Sequence, residues 1–276
     1  MPICAHQIAV ALAASLLTCT TSVLSSTVPL FAQDNKTTGY PLPENGNEVI
    51  FAYDLKNGFT PPRQNSAPAL LIRANGNIEM PSLYGEGRDI KGKLDAHELQ
   101  AFLTFVIDEN KFLEFDASTV QGQIEEIREK RQVPQIADAP DTIIELTLPG
   151  HSHRVRQPAV GMPSEFMQVA SLQQLLAIGK GVNRLMSETR VGGKEGIKRL
   201  LGTINQKLSG AYPDVAPLKA SDFSGSYLKQ DGSISASFSR PGQGTDGKPN
   251  GTWVTGIAVI VPGGDNPKIN LRVKLK

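Results

Sequence analysis

The chain has 276 residues, 39% of them hydrophobic and 20% charged, with 26 Gly and 19 Pro. That is the composition of a globular protein with a real core and many turns, long enough for one large domain or two modest ones. Its net charge of +1 excludes a global field that would single out nucleic acid or a membrane surface as partner.

The N-terminus carries the first informative pattern. No charged side chain precedes Asp34, and the apolar run from Ile8 to Leu17 is too short to span a bilayer but fits the core of an export signal. Ala32 offers a small residue for cleavage, so residues 1–32 are expected to be a signal peptide and 33–47 a linker. The segment departs from the usual pattern in having no Lys or Arg before the apolar run. Leu16-Leu17-Thr18-Cys19 is a rival reading, a lipobox with Thr18 where Gly, Ala or Ser is usual, which would anchor the chain through Cys19. Either way the expected location is the periplasm, the cell envelope or the medium. Cys4 and Cys19 are the only cysteines, so a chain processed after Ala32 holds no disulfide, thiolate metal site or cysteine nucleophile.

In chain order, Glu48–Tyr53 reads as a strand, and Ala69–Ala74 with Asn77–Met80 reads as a hairpin about the Asn75-Gly76 turn. Asp95 is a helix cap, with Glu98 completing a capping box and Leu94 and Leu99 in staple positions. A second helix follows Asp116, with Val120, Ile124 and Ile127 inward and Glu125-Glu126 with Arg128-Glu129-Lys130-Arg131 as a solvated face, and stops before Pro134. Thr142–Leu148 and His151–Val155 are two strands about Pro149-Gly150. Pro163 opens a long helix with Phe166, Val169, Leu172, Leu176 and Met186 on one stripe, weakened midway by Gly179 and Gly181. After Gly192-Gly193 another helix carries Ile197, Leu200, Leu201, Ile204 and Leu208. From Ser221 the period becomes two, through Ser233–Ser239, Thr252–Val261 and the charge-guarded Ile269–Leu275.

Strands and helices in runs predict an α+β fold, with antiparallel hairpins packed against about four amphipathic helices and a β-rich C-terminal part. The expected division is an α+β domain over 48–210 and a subdomain over 211–276, with the boundary near Ala211 to Pro217. Charge is unevenly spread, with 12 acidic against 4 basic residues over Asp95–Gly150 and 17 basic against 8 acidic over His151–Lys276. The two halves either steer against one another or leave a basic surface for an anionic envelope polymer.

Motifs for chemistry are few. His151 and His153 stand at strand spacing and could share a metal if His97 or a carboxylate such as Glu145 supplied a third ligand, although two half-exposed histidines beside a turn explain them more simply. Tyr84–Gly87 through Gly92 lacks the third glycine of a dinucleotide loop, so no cofactor is expected. The cations Lys180, Arg184, Arg190, Lys194, Lys198, Arg199 and Lys207 form either a solvated helical face or a surface for phosphate or polysaccharide carboxylate. Little aromatic interleaving accompanies them, so nucleic acid is not an expected partner. Asp108-Glu109, Glu114 with Asp116, and Asp138 with Asp141 could be arranged for acid–base work. No G-x-S-x-G elbow occurs, and Asp231-Gly232 and Gly263–Asn266 read as turns.

Asn57–Pro62, the hairpin from Leu71 to Ile78, and Gly92–Leu99 with Phe105–Phe112 together resemble a group of exported proteins of planctomycete-type bacteria. The likeness spans Val49 to Met186 and rests on a turn, a cap and an amphipathic helix, so it implies export and no particular activity. The expectation is therefore a non-enzymatic binding or structural module of the envelope, whose partner is an envelope protein or an anionic polymer. The alternative is a secreted hydrolase, metal-dependent through His151 and His153.

Overall fold

A computed structural model describes residues 39–58, 67–82, 89–133, 138–229, 231–243, 249–261 and 266–274. The expected signal peptide, Cys19, the Pro61-Pro62 loop, Tyr84–Gly87 and most of Gly263–Asn266 lie outside them.

The fold is α+β. Among the described residues a six-stranded antiparallel sheet is built from β1 (Val49–Lys56), β2 (Leu70–Arg73), β3 (Asn77–Met80), β4 (Ile90–Lys93), β5 (Asp141–Leu148) and β6 (His151–Pro158), in the order β4-β3-β2-β1-β5-β6. The two hairpins expected from sequence flank β1, one on each side. Phe51 and Tyr53 point from β1 to one face, where the helices lie. Phe51 meets Phe102 edge to face at 4.9 Å. Phe102 belongs to α1 (Ala96–Thr104), which starts at Asp95 because the Asp95 carboxylate accepts the Glu98 N–H at 2.8 Å and Glu98 accepts the Asp95 N–H at 3.1 Å. Three residues further on, the chain makes a π-helical turn over Phe105–Glu109. Tyr40, in the stretch read as linker, is tied to α1: its N–H donates to Gln100 at 2.7 Å and its carbonyl accepts from Gln100 at 3.1 Å.

Next, α2 (Ala117–Arg131) buries Val120, Ile124 and Ile127 as its spacing predicts. It ends at Gln132 in the left-handed conformation. The segment after Pro163 is not one helix. A 3-10 turn over Ser164–Gln168 buries Phe166, and α3 (Ala170–Arg190) begins after the extended Val169. The turn changes the phase of the stripe, so Leu175 is buried and Leu176 only half-buried. Gly179 and Gly181 do not interrupt α3; both are buried, and a Cβ on Gly179 would stand 3.6 Å from the Tyr53 hydroxyl. The packing of α3 on the core offsets their low helix propensity.

The second core begins at Val191. It contains α4 (Gly193–Ala211) and a four-stranded antiparallel sheet of β7 (Phe223–Leu228), β8 (Ile234–Gln243), β9 (Pro249–Ile260) and β10 (Lys268–Lys274), in the order β10-β9-β8-β7. Ile197, Leu200, Ile204 and Leu208 of α4 pack on one face of this sheet together with Phe223, Phe238 and Val254. At the closest approach Gly256 faces Ile204, and a Cβ there would come within 2.6 Å of the Ile204 methyl. The helix read from sequence with the first domain thus shares its hydrophobic face with the C-terminal strands. As expected, β10 is an edge strand. Among the described residues no helix is long and apolar enough to cross a membrane.

Candidate functional site

Three strand ends meet at one end of the six-stranded sheet: the end of β1, the start of β5 and the end of β6, with Lys56 opposite Asp141 and Asp141 opposite Pro158. Beyond β1 the chain turns through Asn57 and Gly58, both in the left-handed conformation. Gly58 is needed there, since a Cβ would sit 2.5 Å from the Asp138 carbonyl. The strand ends, α2 and the Phe166 turn enclose a pocket of about 310 Å³. Its apolar lining includes Ile124, Phe166 and Leu172, and its polar lining Gln121, Arg128, Asp141 and the buried Gln157.

Two charges of opposite sign occupy the rim and neutralise each other. Arg156 donates from Nε and a terminal nitrogen to Asp141 Oδ2 at 2.9 and 2.5 Å, and Asn57 donates to the same oxygen at 2.7 Å. Arg128 is different. Its guanidinium lies 5.4 Å from the centroid of the Phe166 ring, and its Nε is buried with no hydrogen-bond partner among the described residues. No ion pair reaches it among the described residues. A buried donor without a partner costs about 1–3 kcal/mol, which a ligand able to accept that hydrogen bond would recover. The pocket therefore carries one surplus positive charge, presented as a planar fork on an aromatic face.

Sequence spacing assigned Arg128 to the solvated face of α2. The signal that could have found it is its place four residues after Ile124, on the flank of the buried stripe, with Phe166 buried nearby.

The histidines expected as a metal pair do lie on one face of β6. His151 is exposed, and His153 packs edge to face on Phe112 at 5.1 Å with its Nε2 buried and without a hydrogen-bond partner. Neither third ligand joins them. Glu145 points from the opposite face of the sheet, where its Oε1 pairs with Arg154 at 2.7 Å, and His97 is exposed on α1. Among the described residues there is no group of three or more His, Cys, Asp or Glu that could hold a metal.

Asp108, Glu114, Asp116 and Asp141 of the paired carboxylates have structural partners. Asp116 caps α2, accepting from the Ser118 N–H at 3.0 Å and the Thr119 hydroxyl at 2.7 Å, and these hydrogen bonds hold it below the ordinary aspartate range. Asp108 hydrogen-bonds Tyr40, whose phenol is pushed up first by burial and then by Asp108. Glu114 pairs with Lys111 at 3.7 Å. Asp231 accepts from the Ser233 hydroxyl at 2.6 Å in its turn.

The basic run from Lys180 to Lys207 is largely engaged within the protein. Arg184 pairs with Glu188 at 2.9 Å, Arg190 donates to the Ser226 carbonyl at 3.2 Å, Lys194 pairs with Glu98, and Lys207 donates to the Ile269 carbonyl at 2.6 Å. Burial lowers the Arg190 pKa. The acidic and basic halves meet in the Lys194–Glu98, Arg154–Glu145 and Arg156–Asp141 pairs, and Lys180, Lys198 and Arg199 remain on the exposed side of α3 and α4.

No family model, curated protein or solved structure matches the chain. The chemistry of the site therefore rests on its geometry.

Proposed function

We propose that this chain is an exported envelope protein that acts as a binding module, holding a small carboxylate-bearing ligand against Arg128. The observation that carries this reading is the Arg128 Nε, unpartnered among the described residues, in a pocket whose other lining charge, Asp141, is neutralised by Arg156. A single planar guanidinium suits a planar monoanion better than a phosphate, which brings close to two charges at neutral pH. Ile124, Phe166 and Leu172 would pack the apolar part of such a ligand. Export is supported by the short apolar leader, by a cysteine-free chain after Cys19, and by the likeness of Val49–Met186 to exported planctomycete-type proteins.

The test is thermal melting of the purified protein with acetate, propionate, glutarate and inorganic phosphate over a millimolar range. A saturable rise in Tm with a carboxylate, absent in Arg128→Gln, supports the reading. No shift with any carboxylate overturns it, and stoichiometric zinc lost on His151→Ala would replace it with a metal-dependent hydrolase.

A further inference from the structure

The four-stranded sheet packs one face on α4, and its other face carries exposed side chains of β7, β8, β9 and β10. The registers define that outer face. Trp253 lies opposite Lys274, Thr255 opposite Arg272, and Val259 opposite Lys268. On the other side of β9, Ser239 stands opposite Thr255 and Ser235 opposite Val259, and Tyr227 then faces Ser235. Two aromatic rings are exposed here, Tyr227 at 58% and Trp253 at 36%.

Charge on this face has one sign. None of the four strands contains an Asp or Glu, and Lys268, Arg272 and Lys274 are exposed on β10 with no ion pair or hydrogen bond to their side chains among the described residues. The remaining strand cation, Arg240, is spent on the inner side, donating to the Pro217 and Ala216 carbonyls at 2.8 and 2.7 Å. Between the aromatics and the cations run hydroxyls, the exposed Ser239 with the half-buried Ser237 and Thr255, and Thr255 Oγ1 lies 3.5 Å from Ser239 Oγ, whereas Ser235 in the same row is buried.

We infer that this outer face docks an acidic polysaccharide, a polymer of uronic-acid type, lying across Trp253 and Tyr227 with its carboxylates toward β10. The rings offer flat apolar plates for the C–H faces of sugar rings. Hydroxyls both donate and accept, which matches sugar hydroxyls. Three cations without a counter-charge among the described residues select a polyanion. Trp253 and Tyr227 are separated by two strands laterally and by six residues along β9, a diagonal of roughly 20 Å at ~4.8 Å per strand and ~3.3 Å per residue, the span of several sugar rings. A lipid surface is a poorer fit, because the hydroxyl rows interrupt the apolar area that insertion requires. This surface is separate from the Arg128 pocket and stands or falls without it.

The experiment is gel electrophoresis of the purified protein through polygalacturonate, with dextran as the neutral control. Retardation by polygalacturonate alone is expected, at least tenfold weaker in Lys268→Glu/Arg272→Glu and severalfold weaker in Trp253→Ala. These side chains are exposed, and unchanged melting temperatures would confirm that the variants fold. Equal retardation of parent and face variants overturns the proposal. So does binding to vesicles of anionic phosphatidylglycerol without binding to polymer. Self-association that Arg272→Glu abolishes, with no polymer binding, would instead make a second copy the occupant and also overturn it.

Discussion

Ser187 and Ser226 hold each other's backbone: the Ser226 hydroxyl donates to the Ser187 carbonyl at 2.8 Å, and the Ser187 hydroxyl lies 3.4 Å from the Ser226 carbonyl. One serine is on α3 and the other on β7, so this exchange joins the two hydrophobic cores. Arg190 adds a third hydrogen bond to the same Ser226 carbonyl. Ser226→Ala is expected to cost about 1 kcal/mol, the net worth of an ordinary hydrogen bond. Trp253 is the only tryptophan and lies in the smaller sheet, so its fluorescence follows that unit while far-UV circular dichroism follows the whole chain. In urea the fluorescence midpoint of Ser226→Ala should move below the dichroism midpoint; coincident midpoints would mean that the serines do not couple the cores.

Replacing Arg128 with Met separates binding from stability. Met keeps an unbranched side chain against Phe166 and removes the unpartnered Nε donor. The variant should be as stable as the parent or more stable by about 1 kcal/mol, and should lose the carboxylate-dependent rise in Tm. A large loss of stability would show that the guanidinium has a structural partner rather than a ligand.

Gly256→Ala tests the close approach of α4 to the smaller sheet. The added methyl carbon would meet Ile204 at 2.6 Å and Leu218 at 3.3 Å, so the helix must move or Ile204 must change rotamer. Overpacking of this kind costs roughly 1–3 kcal/mol. Gly202→Ala, on the exposed side of α4 with nothing within 4 Å, should be neutral or stabilising in the same urea titration.

Acid and alkali act on different groups. Arg73 hydrogen-bonds Glu79 at 2.9 Å and holds its carboxyl below the usual 4.5, and Thr119 and Ser118 hold Asp116 below 3.8. Because these folded-state values are depressed, their stabilisation is present above the ordinary carboxylate range and is lost as pH falls through the depressed values. Tyr53 behaves in the opposite sense. Burial and then the charge of Asp54 push its phenol up to about 12 from 10.0, so its contribution is intact below pH 10 and is lost as pH rises toward 12. Urea midpoints measured against pH should therefore fall at both ends. In Glu79→Gln the acid-side fall should be smaller, and an unchanged acid limb would remove Glu79 from the account.

Local patterns in the sequence were sufficient for most of the elements. The Asp95–Glu98 capping box, the Asn75-Gly76 turn, the Val120–Ile124–Ile127 stripe and the edge strand β10 each follow from interactions within a few residues, or from a hydrophobic period of 3.6 or 2, and so they are written in the linear chain. Where a helix docks is a long-range matter. The apolar face of α4 is plain in the sequence, yet that face fits either core, and only the close approach at Gly256 and the β7–β10 registers assign it to the second. Charges are harder still. Glu145 is in sequence only a candidate third ligand beside His151 and His153, and strand pairing puts it on the opposite face beside Arg154. Arg128 read as solvated, and the Phe166 turn, 38 residues later in the chain, places it over an aromatic ring in a pocket. The sequence by itself determined the elements, their amphipathic faces and the α+β class, because those depend on local periodicity and capping. Tertiary structure alone decided which charges are paired and which are left over, because that depends on distances between residues far apart in the chain.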